Sequence, residues 1–216
     1  MSDRIRTVVI NYQTPDLLQV AVESFRTWYQ HAPLLIVDNG SKDNSRELIE
    51  RMRTIAPRQT DVLLLDSNIY HGPAMDRAMQ KVKEEYVFFL DSDTETQRGG
   101  FLEALQTELD SSPSTYALGR YLTVNKRGFQ VSTGVDVLAP AYMMIRRNMY
   151  FALPPFEHHG LPILKNILVA QQRGYSIQRF PIEEYIDHRW RGTSSRFGYG
   201  LGWRGKIDFV LNKIGL

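Results

Sequence analysis

The first ninety residues alternate short apolar segments with longer amphipathic ones, and this alternation constrains the fold more than any other feature. Segments that are apolar throughout, separated by stretches of helical length, are typical of parallel strands covered on both faces. We therefore predict an α/β fold of Rossmann-like character, with a mostly parallel central sheet flanked by helices. The four predicted strands are Ile5–Ile10, Leu34–Val37, Val62–Leu65 and Tyr86–Leu90.

The pattern changes after residue 98, which suggests one domain over 1–216 in two differently organised halves, 1–98 and 99–216. Apolar spacing predicts helices over Phe101–Leu109 and His159–Arg173. Short strands are predicted within 116–137 and over Tyr142–Ile145. The Gly- and Arg-rich stretch 191–205 predicts a mobile loop.

Composition excludes several classes of protein. A formal net charge of +2 without a basic run argues against a nucleic-acid partner. The chain contains no cysteine, which excludes disulfides and thiolate metal sites and suits the cytoplasm, the expected location. The N-terminal residues lack a signal-peptide pattern, and we expect no transmembrane segment.

Polar side chains stand where each predicted strand ends. Asn11 follows the first strand, Asp38 the second, residues 66–68 the third and Asp91 to Asp93 the fourth. In parallel sheets, ligands bind beyond the carboxyl ends of the strands. The sequence therefore predicts a ligand site at this edge of the sheet.

Asp91 and Asp93 come directly after a buried strand, where alternation would put both carboxylates on one side of an extended backbone. Such a pair repels itself unless a cation lies between the two groups. Mn²⁺ or Mg²⁺ would relieve the repulsion and bridge to a diphosphate. The alternative is a polar strand end that caps the next helix.

Two other strand ends carry the same ambiguity. Asp38 is suited to accept hydrogen bonds from a nucleobase or ribose, or it belongs to a turn before a helix capped by Asp43 or Ser41. Residues 68–76 contain Gly72, the predicted start of a helix, where backbone N–H groups can meet an anion. The alternative is that they form only a turn.

Taken in order, these segments resemble the family 2 glycosyltransferases, which have the GT-A fold. The resemblance covers about residues 5–95, through the runs 8–15, 37–45 and 89–93 together with Asn68 and Gly72. It implies a nucleotide-diphosphate sugar donor and a divalent metal, with 1–98 as the nucleotide-sugar-binding half and 99–216 as the acceptor-binding half. The residues it assigns are Asn11 and Tyr12 in the base pocket, Asp38 at the nucleoside, Asn68 and Gly72 around the donor, Asp91 at ribose or metal, and Asp93 as the more direct metal ligand. Asp76 stands where the family often has Asn.

Residues late in the chain complete the hypothesis. Some GT-A enzymes use a late His on the metal, and we predict His188 as the third ligand beside Asp91 and Asp93. Arg189 or Arg191 would neutralise the leaving diphosphate, and the loop 191–205 would close over the donor. The segment 203–216 either packs on the domain or lies on a membrane surface near a lipid-linked acceptor.

The catalytic base departs from the family pattern. The position where inverting members place an acid falls near Pro162 and Ile163, which cannot take a proton. We therefore name Glu157, His158 and His159 as the candidates for the base.

The resulting prediction is a metal-dependent glycosyltransferase, inverting at the anomeric carbon, that acts on a sugar, lipid-linked or small-molecule acceptor. One alternative is a non-catalytic nucleotide-sugar-binding module. Another is a phosphatase of the haloacid dehalogenase type, although Glu95 and the position on the fourth strand fit it poorly. A nucleotidyltransferase would need a Gly-rich, Lys-containing loop after the first strand, and the sequence has none there.

Overall fold

A computed structural model describes residues 3–157 and 161–189. Its main sheet has seven strands in the order β3-β2-β1-β4-β7-β6-β8. The strands are β1 (Ile5–Asn11), β2 (Leu34–Asp38), β3 (Thr60–Leu64), β4 (Tyr86–Asp91), β6 (Thr115–Val124), β7 (Val135–Arg146) and β8 (Ser176–Arg179). A separate pair joins β5 (Thr94–Thr96) to β9 (Ile186–His188).

The sheet is mostly parallel, as the sequence predicted. The pairs β1–β2, β2–β3, β1–β4 and β6–β8 are parallel, whereas β7 runs antiparallel to both β4 and β6. The first half of the chain therefore forms a parallel unit with the strand order 3-2-1-4. All four of its strands end at the same edge of the sheet.

Helices cover both faces of the sheet. They are α1 (Pro15–Trp28), α2 (Ser45–Ile55), α3 (His71–Lys81), α4 (Phe101–Ser111), the short α5 (Arg147–Tyr150) and α6 (Leu164–Gln172), with a 3₁₀ turn at Ile182–Glu184. One core cluster packs α1, α2 and α4 against one face, and the other packs α3 and α6 against the opposite face. Alternate residues of β1 enter different clusters, Val9 one and Val8 the other, which is why the strand is apolar throughout.

Several boundaries differ from the sequence predictions. The predicted strand Tyr142–Ile145 is the end of β7, and the predicted helix His159–Arg173 begins only at Leu164. The N-cap of α2 is Asn44 rather than Asp43 or Ser41, and Asp43 accepts a hydrogen bond from Ser45 N at 3.0 Å. Among the described residues, no helix has both the length and the apolar character needed to cross a bilayer.

Candidate functional site

The ends of β2, β1 and β4 lie side by side at one edge of the sheet. Asn11 is the register partner of Asp38, and Ile10 is the partner of Asp91. Parallel pairing therefore brings together three strand ends that are far apart in the sequence.

Hydrogen bonds join these strand ends into one polar network. Asn11 Nδ2 donates to Asp38 Oδ1 at 3.4 Å and to Ser41 Oγ at 3.3 Å. Thr14 Oγ1 donates to Asn11 Oδ1 at 3.0 Å and lies 3.4 Å from Ser92 Oγ. The end of β1 is thus connected both to the turn after β2 and to the Asp-Ser-Asp turn after β4.

Asp38 is fully buried, and its charge is compensated by a residue that the sequence reasoning did not identify. Its Oδ2 accepts hydrogen bonds from Arg46 Nε and from Ser41 N, each at 3.0 Å. A buried carboxylate needs such partners because removing it from water is costly. Arg46 lies in the first turn of α2, eight residues after Asp38, and its side chain is 41% exposed. Arg46 therefore presents a cationic group near this strand end.

The segment between β3 and α3 is held by amide side chains. Asn68 Oδ1 accepts hydrogen bonds from Asn39 Nδ2 at 3.1 Å and from Tyr70 N at 2.8 Å. A Cβ on Gly72 would lie 1.7 Å from the carbonyl oxygen of Glu157. Glycine at position 72 thus lets the start of α3 pack directly against the segment that carries the candidate base.

Asp91, Asp93 and His188 form a cluster whose potential ligand atoms all lie within 4.8 Å of one another. His188 Nε2 is 3.4 Å from Asp93 Oδ1 and 3.6 Å from Asp91 Oδ2. The extended geometry expected for the acidic pair is wrong, because β4 ends at Asp91 and Asp93 lies in the following turn. That turn nevertheless brings the carboxylates together.

The short β5–β9 ribbon explains how a residue so late in the chain reaches this cluster. Thr94 is the register partner of His188, and Arg189 N donates to Asp93 O at 2.9 Å. The ring of Tyr142 packs edge-on against the His188 imidazole, with centroids 5.9 Å apart. The position of His188 is therefore fixed both by strand pairing of its backbone and by the contact of its ring with Tyr142. The Arg189 guanidinium is hydrogen-bonded to Glu95.

A second imidazole contacts Asp91. His71, the first residue of α3, places Nε2 at 3.7 Å from Asp91 Oδ1. Burial alone would raise the pKa of Asp91, but the close approach of the His188 imidazole and the positive charge of a protonated His71 or His188 hold that pKa below its ordinary value. The carboxylate of Asp91 is therefore in its ionised form, ready to bind a cation, at neutral pH.

The donor set of this cluster fits a divalent cation. Carboxylate oxygens suit Mg²⁺ or Mn²⁺, and the His188 imidazole would add one nitrogen ligand. Adjacent ligands of an octahedral ion with bonds of about 2.1 Å lie about 3 Å apart, and opposite ligands about 4.2 Å apart. The separations of 3.4 and 3.6 Å in the cluster fall within that range.

Of the three candidates for the catalytic base, only Glu157 lies within the described residues. Glu157 is exposed, and its Oε1 accepts a hydrogen bond from Lys165 Nζ at 2.8 Å. Ile163 is fully buried, so the position at which the family places an acid belongs to the core here. His158, His159 and Arg191 lie outside the described residues, as do the loop 191–205 and the segment 203–216.

The described residues form a fold of the GT-A type, in which a 3-2-1-4 parallel unit carries an Asp, Asp, His cluster at the carboxyl ends of its strands. The family model for glycosyl transferase family 2 matches residues 7–180, most of the chain. The chain therefore belongs to glycosyl transferase family 2. This membership makes it an enzyme of the glycosyltransferase class and argues against the phosphatase alternative.

Similar proteins agree with this assignment. Glycosyltransferase GlyG of Streptococcus pneumoniae is 27% identical over 99% of this chain and 80% of its own length. A mannosyltransferase from Pyrobaculum calidifontis, solved with GDP-Man and Mn²⁺, has a TM-score of 0.68 at 14% identity over 82% of this chain. S. aureus TarS with UDP-GlcNAc has a TM-score of 0.63 at 16% identity over 90% of this chain. The chain covers 55% and 61% of those two structures, and at such identities the likeness shows the fold alone.

Proposed function

We propose that this protein transfers a sugar from a nucleotide-diphosphate donor to an acceptor hydroxyl, in a reaction that depends on a divalent cation and inverts the anomeric carbon. The observation that carries the proposal is the Asp91, Asp93 and His188 cluster beside the polar network of Asn11 and Asp38. A cation would balance the charge of a diphosphate, and polar groups would bind a nucleoside. The two groups of residues lie at the same edge of the sheet, which supports the proposal.

Asp91, Asp93 and His188 would hold the cation, either Mn²⁺ or Mg²⁺. When bound, the cation supplies electrostatic stabilisation to the diphosphate as it leaves. The presence of Mn²⁺ and GDP-Man in the Pyrobaculum structure supports a divalent cation beside the donor. Because a second neighbour carries UDP-GlcNAc, both guanine and uracil nucleotides belong in the test.

The nucleoside would bind where β1 and β2 end. Asn11 and Tyr12 would line the base, and Asp38 would orient the nucleoside with Arg46 at its side. Both carboxylate oxygens of Asp38 already have protein partners, so a nucleoside would share them or displace one. Asn68 would shape the donor loop through Asn39. The tight contact of Gly72 with Glu157 brings the donor side against the base segment.

The acceptor hydroxyl would give its proton to a base in the segment 157–159, which is Glu157, His158 or His159. Glu157 reaches Lys165 at 2.8 Å, so its carboxylate carries a counter-ion that it must exchange for the acceptor. We propose Arg191 as the group that neutralises the departing diphosphate. The acceptor would be a sugar, a lipid-linked sugar or a small molecule, and peripheral contact with a membrane belongs to the lipid-linked case.

The deciding experiment is calorimetric titration of UDP, GDP and dTDP with and without Mn²⁺. We expect one nucleotide to bind in the presence of the metal and to lose at least about tenfold in affinity when Asp93 is replaced by Asn. Asp187→Asn is a matched control, because Asp187 is exposed and adjoins His188. If none of the three nucleotides binds in the presence of Mn²⁺, the proposed donor is wrong.

Catalysis and stereochemistry need a second measurement. The sugar nucleotide that binds is incubated with a panel of acceptors, and proton NMR reports the configuration of the product. Inversion is expected, and Glu157→Gln should reduce the turnover number if Glu157 is the base while leaving nucleotide binding within about twofold. A product that retains the donor configuration would refute the inverting mechanism.

A further inference from the structure

The carboxylate of Asp91 lies between two imidazoles that come from different parts of the chain. His188 Nε2 is 3.6 Å from Oδ2, whereas His71 Nε2 is 3.7 Å from Oδ1. The His188 side chain is only 8% exposed and belongs to the cluster of potential ligands, but the His71 side chain is 40% exposed and does not. The two imidazoles therefore approach different oxygens of the same carboxylate.

We propose that His71 is a positioning residue for the metal site, holding Oδ1 of Asp91 so that Oδ2 faces the cation. This inference rests on the proposed function, because it assigns a partner to a proposed metal ligand. Carboxylates that bind metals are themselves hydrogen-bonded by neighbouring groups, and loss of such a partner weakens metal binding. His71 Nε2 lies 3.7 Å from Asp91 Oδ1, about 0.5 Å beyond hydrogen-bond length, and its half-exposed side chain has room to approach.

Several hydrogen bonds hold the backbone that precedes His71. Tyr70 has φ 71° and ψ 165°, a region of backbone space that is essentially restricted to glycine. Its conformation is maintained by hydrogen bonds from Tyr70 N to Asn68 Oδ1 at 2.8 Å and from Asn39 Nδ2 to Tyr70 O at 3.3 Å. Ala74 N also donates to Tyr70 O, at 3.1 Å. These contacts orient the peptide from which His71 emerges.

The test measures Mn²⁺ alone, without nucleotide, by following the EPR signal of the free ion during titration of the full chain. His71→Ala is expected to weaken Mn²⁺ binding about tenfold, in the range seen when outer partners of metal ligands are removed. His71→Gln retains an N–H donor and is expected to stay within about threefold of the wild-type affinity. His31→Ala is the control, since His31 is exposed and precedes β2 at the opposite edge of the sheet.

Three outcomes would overturn the assignment. Unchanged Mn²⁺ affinity in His71→Ala would show that His71 does not support Asp91, and nucleotide binding would leave the proposed function intact. An equal loss in His71→Ala and His71→Gln would instead make His71 a direct ligand. A wild-type protein that binds no Mn²⁺ would remove the metal site itself, which separates failure of the proposed function from failure of this inference.

Discussion

Replacing Gly72 with alanine is expected to destabilise the protein, although helix propensity alone favours alanine by about 1 kcal/mol. Gly72 is the second residue of α3, and a Cβ there would lie 1.7 Å from the carbonyl oxygen of Glu157 and 2.9 Å from Pro162 Cβ. Even a separation of 3.0 Å requires a displacement of about 1.3 Å between α3 and the backbone at residue 157, and overpacking of this kind costs about 1–3 kcal/mol.

The displacement also strains the hydrogen bond from Glu157 N to Pro162 O, now 3.0 Å long. Its loss adds about 1 kcal/mol. After subtraction of the propensity gain, the net loss of unfolding free energy is about 1–3 kcal/mol. At about 2–4 °C for each kcal/mol in a chain of this size, the melting temperature should fall by roughly 2–12 °C.

Urea denaturation monitored by circular dichroism provides the free energy, and a thermal scan provides the shift in Tm. Gly99→Ala is the control, because a Cβ there comes no closer than 3.2 Å to any atom, namely Cβ and Cε3 of the half-exposed Trp28, which need to shift by only a few tenths of an ångström. That variant is expected within about 0.5 kcal/mol of the wild type. A Gly72→Ala protein as stable as the wild type would refute the close packing of α3 on Glu157.

Two further predictions concern the backbone at Tyr70 and the acid stability of the protein. Tyr70→Gly should be more stable than Tyr70→Ala by about 1–2 kcal/mol in urea unfolding, because both variants lose the ring but only glycine relieves the positive φ; equal stabilities would contradict the strained geometry. Hydrogen bonds from Arg4 and Tyr86 lower the pKa of Asp110 from its ordinary value of 3.8 to about 2, so the stabilisation is present above about pH 4 and is lost as the pH falls towards 2. Asp110→Asn should flatten this part of the stability profile by less than about 1 kcal/mol, since the side chains of Arg4 and Asp110 are 43% and 36% exposed; profiles that stay parallel from pH 2 to 7 would exclude the Arg4–Asp110 pair as a source of acid sensitivity.

The parallel half of the fold could be predicted because its strands are buried on both faces. Both ends of each predicted strand in that half lie within two residues of the observed ends. Because β1 and β4 are almost wholly apolar, their sequences show no helical periodicity that competes with the strand prediction. Polar residues follow both strands and mark their ends. Adjacency of Asn11, Asp38 and Asp91 then follows from parallel pairing alone.

The antiparallel half was harder to predict because β7 contains Pro140, which usually argues against a strand interior. The structure places Pro140 where the register between β6 and β7 shifts, with Tyr121 opposite Leu138 and Gly119 opposite Met143. Proline is tolerated at such irregularities because no ladder N–H is required there. A continuous strand from Val135 to Arg146 was therefore mistaken for separate short strands.

Two of the site contacts depend on tertiary structure that local sequence patterns do not express. His188 was predicted from the family resemblance, but its route to Asp93 depends on the three-residue ribbon with β5, which is too short to recognise in the sequence. His71 carried no signal at all, because the predicted helix began one residue later, at Gly72. Its proximity to Asp91 follows from the unusual backbone of Tyr70.

Three consecutive residues connect the donor side of the site to the proposed base segment. Tyr70 fixes the turn, His71 contacts Asp91 and Gly72 abuts the backbone of Glu157. A side chain at position 72 would therefore displace either the base segment or the start of α3. If the base segment moves, turnover falls while Mn²⁺ affinity is kept. If α3 moves, His71 leaves Asp91 and Mn²⁺ affinity falls as well. Mn²⁺ titration of Gly72→Ala therefore shows whether the base segment or the start of α3 is displaced.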